Sequence, residues 1–289
     1  MRMLLFQDFF QLKIGGIIVN FGSLRYQNQN TEHPPIMPTI EHPAGNYEFL
    51  PGIAPYSCGV VASSGYEIVH VRYLRPINYR PGLDRIAAYL ENAGRPRAAL
   101  CSIELRSPKP FSFAGFGELN ADYASILKSW GIFVNGINPV ARTNVAPEGH
   151  APDSVVIYGF SYTRQAQLNV SQKTFVVAGG GELPEGKLDA ESIVERGDLS
   201  SDGLVKKARF VMGLMENRLL GLGAGWGDVT GTNIYTVHSM DRIIPEVLAP
   251  ISGPASLQGY QWYFTRPPIV EIEYEMDLRG YANQLIIAD

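Results

Sequence analysis

The chain of 289 residues contains only two cysteines, and both lie in apolar segments, at Cys58 and Cys101. Two cysteines are too few for the disulfide framework of a small secreted protein, so we expect two buried, reduced thiols. No apolar run reaches the roughly 18 residues that a membrane-spanning helix requires, so no such helix is predicted. The apolar start carries Asp8 and Lys13 and lacks the small-residue cleavage pattern of a secretory signal.

An excess of positive charge is also missing. Lysine and arginine number 24 against 28 aspartates and glutamates, which gives a net charge of −4. Nucleic acids and anionic membrane surfaces both require a basic footprint, so we expect neither as a partner. The hydrophobic fraction of 45% is typical of a globular protein with a sizeable core. We therefore expect a soluble, cytoplasmic protein.

Several cofactor and catalytic motifs are absent. The five histidines are scattered, with no H-x-x-x-H pair and no cysteine partner, so no metal site is predicted. The G-x-S-x-G elbow of the α/β-hydrolases does not occur. Glycines 179–181 end a strand pattern, but Glu182 follows them where a nucleotide site would need a phosphate-binding helix. They indicate a turn or a close backbone approach, and we expect no cofactor.

What the sequence does contain is an alternation of strand and helix patterns that occurs twice. Residues 57–166 follow the order ββαβαββ, and residues 167–289 follow nearly the same order. The pattern predicts an α+β fold of two halves, each a mixed sheet with helices packed on one face. The opposite face of each sheet must then be covered by the other half or by another chain.

The first 56 residues do not follow this pattern. We expect one or two N-terminal strands and then, over residues 23–56, a connector rich in Asn, Gln, Pro and His. In the second half, PPIVEIEYEM (267–276) is predicted to be a strand. Its Glu271, Glu273 and Glu275 would share one face. We interpret that face as solvated or as facing a basic partner, with acid–base chemistry as the alternative.

Two segments of the first half resemble the RidA/YjgF family, which has a chorismate-mutase-like fold. ELNADYASIL resembles the FNxxYxxxF helix of that family and places Asn120 at a position that often lines the ligand pocket. ARTNV resembles its ARSCV strand, so Arg142 matches the arginine that binds the substrate carboxylate, and Asn144 replaces a frequent cysteine. The second half resembles the family in its order of strand, helix and strand.

The resemblance implies a tandem two-domain RidA-like protein that binds a small carboxylic acid and forms a homo-oligomer, with a trimer favoured. A planar guanidinium such as that of Arg142 meets a carboxylate through two parallel hydrogen bonds. Backbone groups at Gly59 or Gly65 would also contact the ligand. The implied activity is that of an imine or enamine deaminase, or of a related hydrolase.

One group that the family uses is not found by this comparison. RidA-type deaminases position the attacking water with a glutamate on the last strand, and neither DSVVIYGFSYT nor NQLIIAD offers one. Tyr158 is then the nearest polar candidate for proton transfer. A tyrosine with an ordinary pKa of about 10 is a poor base at neutral pH. A packed aromatic side chain is the simpler interpretation of Tyr158.

Three functions therefore stay open. The chain could be a deaminase, a non-enzymatic ligand-binding or structural protein that has lost the glutamate, or a chorismatase-like hydrolase, since two-domain chorismate hydrolases are also built from RidA-like halves. A surface ion pair remains the simplest alternative for Arg142, and a helix-surface side chain or cap for Asn120. In the second half, Pro267 occupies the position that matches Arg142 and Arg266 lies one residue early, which favours loss of that site.

Overall fold

A computed structural model describes residues 38–167 and 173–288 and, in addition, two short N-terminal strands. These strands, β1 (Gln11–Ile14) and β2 (Ile17–Asn20), pair antiparallel with each other. They belong to a unit, Met1–Pro34, that is separate from the compact unit Pro35–Asp289. The predicted N-terminal strands are therefore present, whereas residues 23–37 of the predicted connector lie outside the described residues.

The larger unit contains the helices and the remaining strands. The helices are α1 (Tyr79–Asn92), α2 (Phe113–Ser129), α3 (Ser201–Gly221) and the short α4 (Ala249–Ser252). The strands are β3 (Ile40–His42), β4 (Tyr47–Leu50), β5 (Gly59–Ala62), β6 (Tyr66–Asn78), β7 (Leu100–Arg106), β8 (Ala141–Pro147), β9 (Val156–Gln165), β10 (Phe175–Gly181), β11 (Gly231–Thr236), β12 (Gln261–Arg266), β13 (Glu275–Gly280) and β14 (Asn283–Ile287). Across the part of the chain that the structure describes, no helix combines the length and the apolar character needed to cross a membrane.

The strands of this unit form one mixed sheet with the order β14-β6-β9-β7-β8-β12-β11-β13-β10-β5-β4-β3. One pattern occurs twice in it: a first strand set, β6-β9-β7-β8, and a second strand set, β10-β13-β11-β12. In each set the first strand pairs antiparallel with the second, the second pairs antiparallel with the third, and the third pairs parallel with the fourth. The α+β class with a mixed sheet is confirmed. Because Pro35–Asp289 is one compact unit, the predicted domain boundary near residue 166 stays a prediction.

Helices cover one face of each strand set. On β7, Ile103 and Leu105 pack into a buried cluster with α1 and α2, and on β13, Met276 and Leu278 pack into another with α3. Alternate side chains of a strand point to opposite faces, so their neighbours on β7 and β13 point away from the helices. A third buried cluster consists of residues from strands alone, those of both sets and of β4 and β5.

The two faces that point away from the helices meet each other, and polar side chains pair between them. Thr143 of β8 donates a hydrogen bond to Asp277 of β13 at 2.6 Å. Arg279 Nη2 lies 2.9 Å from Asp277 Oδ2 and 3.3 Å from Glu104 Oε1. All of these side chains are closed to solvent. The second strand set therefore covers the sheet face of the first, which was one of the two alternatives that the sequence left.

The predicted connector is wrong for residues 40–50. There β3 and β4 form an antiparallel hairpin that extends the sheet beside β5. Tyr47 and Phe49 of β4 are fully buried and belong to the cluster between the strand sets. These apolar positions explain why a segment rich in proline and asparagine nevertheless becomes part of the sheet.

The predicted strand over residues 267–276 is also wrong for most of its length. β12, which the pattern missed, ends at Arg266 before two consecutive prolines, and Glu271 adopts a positive φ of 70°. A non-glycine residue in that conformation is typical of a turn. As a result, β13 begins only at Glu275.

A buried ion pair holds the start of β13 against α3. Lys207 of α3 is fully buried, with Nζ 3.2 Å from Glu182 Oε1 and 2.9 Å from the carbonyl oxygen of Val194. Glu182 in turn accepts hydrogen bonds from the backbone N–H groups of the two residues that precede Glu275. The pair therefore fixes where Glu275 enters the sheet.

Replacing Lys207 by Met should lower the free energy of unfolding by about 3–5 kcal/mol, because it leaves the carboxylate of Glu182 buried without its partner. Urea denaturation followed by circular dichroism measures this change. The matched control is Lys206→Met on the same helix, where Lys206 is 60% exposed and pairs with Glu195 in solvent. Equal losses in the two variants would contradict a structural role for the buried pair.

Candidate functional site

A cavity of about 80 Å³ lies between the two strand sets. Both sets contribute to its wall, and so do two helices and three loops. The lining side chains and backbone segments used below are Arg142 and Asn144 of β8, Phe116 of α2, Gly179–Gly181 of β10, Glu275 of β13, Arg218 of α3, and Tyr56, Cys58 and Glu185 from loops. Neither strand set could form this cavity alone.

Arg142 is held rigidly at the wall of this cavity. It is 2% exposed, and its Nη2 donates a hydrogen bond of 2.6 Å to Oδ1 of Asn120 on α2. The guanidinium carbon lies 4.5 Å from the ring centre of Tyr56 and 4.9 Å from that of Tyr123, and such contacts with aromatic rings stabilise a cation. Asn120 thus contacts Arg142 and positions it, and the surface ion-pair alternative for Arg142 is wrong.

Two hydrogen-bond donors in this region have no partner among the described residues. They are Nη1 of Arg142 and Nδ2 of Asn144, and both atoms are buried. Arg142 and Asn144 are two residues apart on β8 and therefore lie on the same face of the strand. Asn144 is oriented by Ser107, whose hydroxyl donates to Asn144 Oδ1 at 2.8 Å. Buried donors are normally satisfied, so this pair can accept an oxygen-rich ligand group such as a carboxylate.

The glycine run of β10 lets another strand approach closely, as the sequence predicted for it. A Cβ atom on Gly179 would collide with Oε1 of Glu275 and would lie 3.2 Å from Thr143 Cγ2. A Cβ atom on Gly180 would lie 3.0 Å from Nη1 of Arg218. The absent side chains thus make room for the carboxyl group of Glu275 and for the guanidinium group of Arg218 at the same wall.

Glu275 is the carboxylate that the sequence comparison did not find. The interpretation of Glu271, Glu273 and Glu275 as one solvated face is wrong, because Glu275 is 4% exposed and lines the cavity. β13 is an inner strand of the sheet. Helix α3 packs on one of its faces, and the first strand set covers the other. Burial raises the pKa of Glu275 well above its ordinary value of 4.5, and the nearby charge of Asp277 raises it further. The carboxyl group is thereby favoured in its neutral, proton-carrying form.

The Glu275→Gln variant should gain stability over the natural protein as the pH rises above 4.5. A carboxyl whose pKa is raised in the folded state binds more protons folded than unfolded, so its contribution to stability is lost with increasing pH. Glutamine does not titrate and escapes this loss. Urea denaturation of both proteins at pH 5 and pH 8 measures the difference, and a difference independent of pH would show that Glu275 titrates normally.

The cavity wall also carries a second arginine. Arg218 is 7% exposed and forms two hydrogen bonds with Glu185, Nε to Oε1 at 2.7 Å and Nη2 to Oε2 at 3.1 Å. The thiol of Cys58 lies 3.5 Å from Glu185 Oε2. Burial raises the pKa of Cys58 to about 11, so this sulfur is a neutral thiol at physiological pH. Both cysteines are buried and unpaired, as predicted.

Tyr158 and Gly65 do not lie at this cavity. The hydroxyl of Tyr158 accepts a hydrogen bond from Arg72 at 3.0 Å in a different cleft, which His70 and Glu104 also line. Gly65 forms the turn between β5 and β6 with a φ of 80° and lines a third cavity. The proposed catalytic role of Tyr158 and the ligand contact of Gly65 are therefore wrong for the cavity that contains Arg142.

Arg266, the candidate in the second half, lies at the surface. It forms two hydrogen bonds with Glu148, at 2.8 and 3.0 Å, and does not line the cavity. The cavity is thus asymmetric. Arg142 belongs to the first strand set, and Glu275 belongs to the second. Within the described residues, no group of three or more His, Cys, Asp or Glu side chains is arranged to hold a metal ion.

Two buried charged residues of α3 carry a signal in the sequence. Lys207 and Arg218 fall at three- and four-residue spacings within the apolar stripe of α3, next to Val211 and Leu214. A charged residue in such a stripe must be paired when buried, which marks it as a structural or functional position. Glu275 had no local signal, because only the sheet order reveals that β13 is an inner strand.

The chain is similar to several known proteins. A family profile described as "2-aminomuconate deaminase CnbZ" matches residues 39–285. A 2-amino-5-chloromuconate deaminase of Comamonas testosteroni is 38% identical over 244 residues, which cover 84% of this chain and 96% of that protein. A solved chorismatase, 12% identical, covers 77% of each chain with a TM-score of 0.47. A cyanuric acid hydrolase, 10% identical, covers 77% of this chain and 69% of its own with a TM-score of 0.36.

Proposed function

The chain belongs to the CnbZ family of 2-aminomuconate deaminases, and on this premise we propose that it removes the amino group of a 2-aminomuconate-type acid in the cavity between the strand sets. Such a substrate is a conjugated enamine with a carboxylate on the carbon that bears nitrogen and a second carboxylate at the far end. One observation carries the proposal. A buried arginine with an unpartnered donor, Arg142, and a buried carboxyl group with a raised pKa, Glu275, line the same cavity.

Arg142 and Asn144 bind the carboxylate beside the amino-bearing carbon in this proposal. Their two unpartnered donors lie on one face of β8, and an oxygen from the ligand would satisfy each of them. A charge-assisted hydrogen bond from a guanidinium is about twice as strong as a neutral one. The bond from Arg142 to Asn120 keeps the guanidinium in place before the ligand arrives, so little rotamer freedom is lost on binding.

Glu275 supplies and recovers the proton. Its neutral carboxyl group donates a proton to a carbon of the enamine, so that a C–H bond forms and the C–N group becomes an iminium ion. Water then adds to the iminium carbon, and its proton returns to Glu275. The hydroxyl proton of the resulting carbinolamine passes to its amino nitrogen, the C–N bond breaks as the C=O bond forms, ammonia leaves, and a 2-oxo acid remains. One water is consumed, and no oxidant or reductant is required.

The two alternatives from the sequence have less support. The non-enzymatic alternative depended on a missing glutamate, and Glu275 removes that reason. The chorismatase-like alternative gains no support from the solved chorismatase, because a TM-score of 0.47 at 12% identity is too low to indicate a shared function. The repeated strand order supports a tandem of two RidA-like units, with the site between them. Assembly into a homo-oligomer, with a trimer favoured, stays a prediction.

Incubating the purified protein with 2-aminomuconate tests the activity directly. We expect release of one ammonia per substrate and loss of the conjugated enamine absorbance, both faster than in buffer. Chorismate serves as the contrasting substrate, since it carries no amino group and its hydrolysis would follow a different course. Ammonia release no faster than in buffer would reject the deaminase proposal.

Replacing Arg142 by Gln should raise KM for 2-aminomuconate by about tenfold or more, because a charge-assisted hydrogen bond to the substrate is lost. Steady-state kinetics with ammonia detection provides the measurement. The matched control is Arg266→Gln, which removes a bidentate but solvent-exposed pair on the neighbouring strand. A similar KM in both variants would exclude Arg142 as the carboxylate-binding residue.

Replacing Glu275 by Gln should lower kcat by about a hundredfold or more, since the proton donor is lost while the shape of the side chain is kept. Binding of the unreactive analogue trans,trans-muconate should change little, and calorimetry checks this. Glu271→Gln, four residues earlier and exposed, is the control and should keep its kcat. If Glu275→Gln retains most of its kcat, another group moves the proton.

A further inference from the structure

The second arginine of the cavity is oriented independently of the carboxylate that it contacts. Nη1 of Arg218 donates to the backbone carbonyl oxygens of Ala178 at 2.9 Å and Gly179 at 3.3 Å, both on β10. Its remaining edge, Nε and Nη2, points to Glu185. That edge is the planar fork that binds a carboxylate through two parallel hydrogen bonds. Arg218 is therefore a preformed carboxylate site that a carboxylate of the chain itself occupies.

Glu185 is held less firmly than Arg218, with which it forms an ion pair. Its side chain is 38% exposed, against 7% for Arg218. It lies in a loop between β10 and α3, directly before Gly186, which has a φ of 77°. Its carboxylate contacts Arg218 and the thiol of Cys58. The side chain of Glu185 can therefore rotate outward, and water then hydrates its carboxylate.

The size of the cavity also points to such an exchange. Its volume of about 80 Å³ is far below the roughly 300–1,000 Å³ of ordinary ligand pockets. A six-carbon chain with a carboxylate at each end needs more room than this. Glu185 lines the cavity beside Arg218, so its departure would enlarge the space next to the guanidinium that a second carboxylate would need.

Charge balance favours the same exchange. A carboxylate partner offsets the cost of burying the guanidinium of Arg218, and Glu185 provides that partner without ligand. When a ligand carboxylate takes its place, Arg218 stays paired and Glu185 becomes hydrated. The cavity wall then carries the positive charges of Arg142, Arg218 and the exposed Lys187, which suits a dianion. A ligand with one carboxylate gains nothing from the exchange.

We propose that Arg218 binds the distal carboxylate of a dicarboxylate ligand, and that Glu185 stands in for that carboxylate until the ligand displaces it. This deepens the proposed function, on which it rests, by assigning the residues that select a dicarboxylate over a monocarboxylate. Arg218 is then a specificity-determining residue, and the side chain of Glu185 turns outward when the ligand binds.

The test compares two unreactive ligands with the same carbon skeleton, trans,trans-muconate and sorbate, which differ in one terminal carboxylate. Calorimetry gives the dissociation constants for the natural protein, Arg218→Gln and Glu185→Gln. The natural protein should bind muconate about tenfold more tightly than sorbate or better. Arg218→Gln should remove this preference while still binding sorbate, which shows that the cavity is intact. Glu185→Gln should increase the preference by about fivefold, because the internal competitor has lost its charge.

The matched controls are Arg209→Gln, exposed on the same helix, and Glu191→Gln, which is 81% exposed further along the same connection between β10 and α3. Both should keep the preference of the natural protein. An unchanged muconate-to-sorbate ratio in both Arg218→Gln and Glu185→Gln would overturn the inference. If Arg218→Gln does not fold, the ratio in Glu185→Gln decides alone.

Failure of this inference is distinguishable from failure of the proposed function. Ammonia release from 2-aminomuconate with an unchanged ligand ratio in the variants leaves the deaminase standing and rejects the role of Arg218. The expected ratios without any ammonia release support the dicarboxylate site and reject the deaminase. Binding of neither ligand by the natural protein rejects the dicarboxylate site outright.

Discussion

The hydrogen bond between Thr143 and Asp277, closed to solvent and reinforced by Arg279 and Glu104, is the contact on which the architecture depends. Charged groups buried between two sheets are tolerated only when they are paired, so the two strand sets can meet in few relative positions. In the observed one, β8 lies against β10 and β13. Arg142 is the neighbour of Thr143, and Glu275 lies two residues before Asp277, so the pairing that aligns the sets also brings the two groups to one cavity.

Duplication of a strand pattern has not produced two equal sites. The junction that contains Arg142 also receives Glu275 and the glycines of β10, and those glycines are what allow the carboxyl group to approach. On β12, Arg266 is engaged by Glu148 at the surface. Each strand set thus contributes a different part of one site.

Local patterns predicted most of the helices and strands, because amphipathic periods depend on nearby residues. Arg142, Asn120 and Asn144 became candidates through the resemblance to short motifs. Prediction failed where long-range pairing decides, since alternating glutamates predicted a solvated face, whereas β13 lies inside the sheet and Glu275 is buried. β12 escaped notice because its alternating Trp262 and Phe264 face outward and are half exposed.

Each strand set pairs with a strand from the other part of the chain, and this has a consequence for how such a protein can evolve. β5 precedes the first strand set but pairs with β10 of the second, and β14 follows the second set but pairs with β6 of the first. A gene fragment encoding either set alone would leave a long strand without its neighbour, exposed to aggregation. The two parts have therefore ceased to be interchangeable modules, and recombination can pass them on only together.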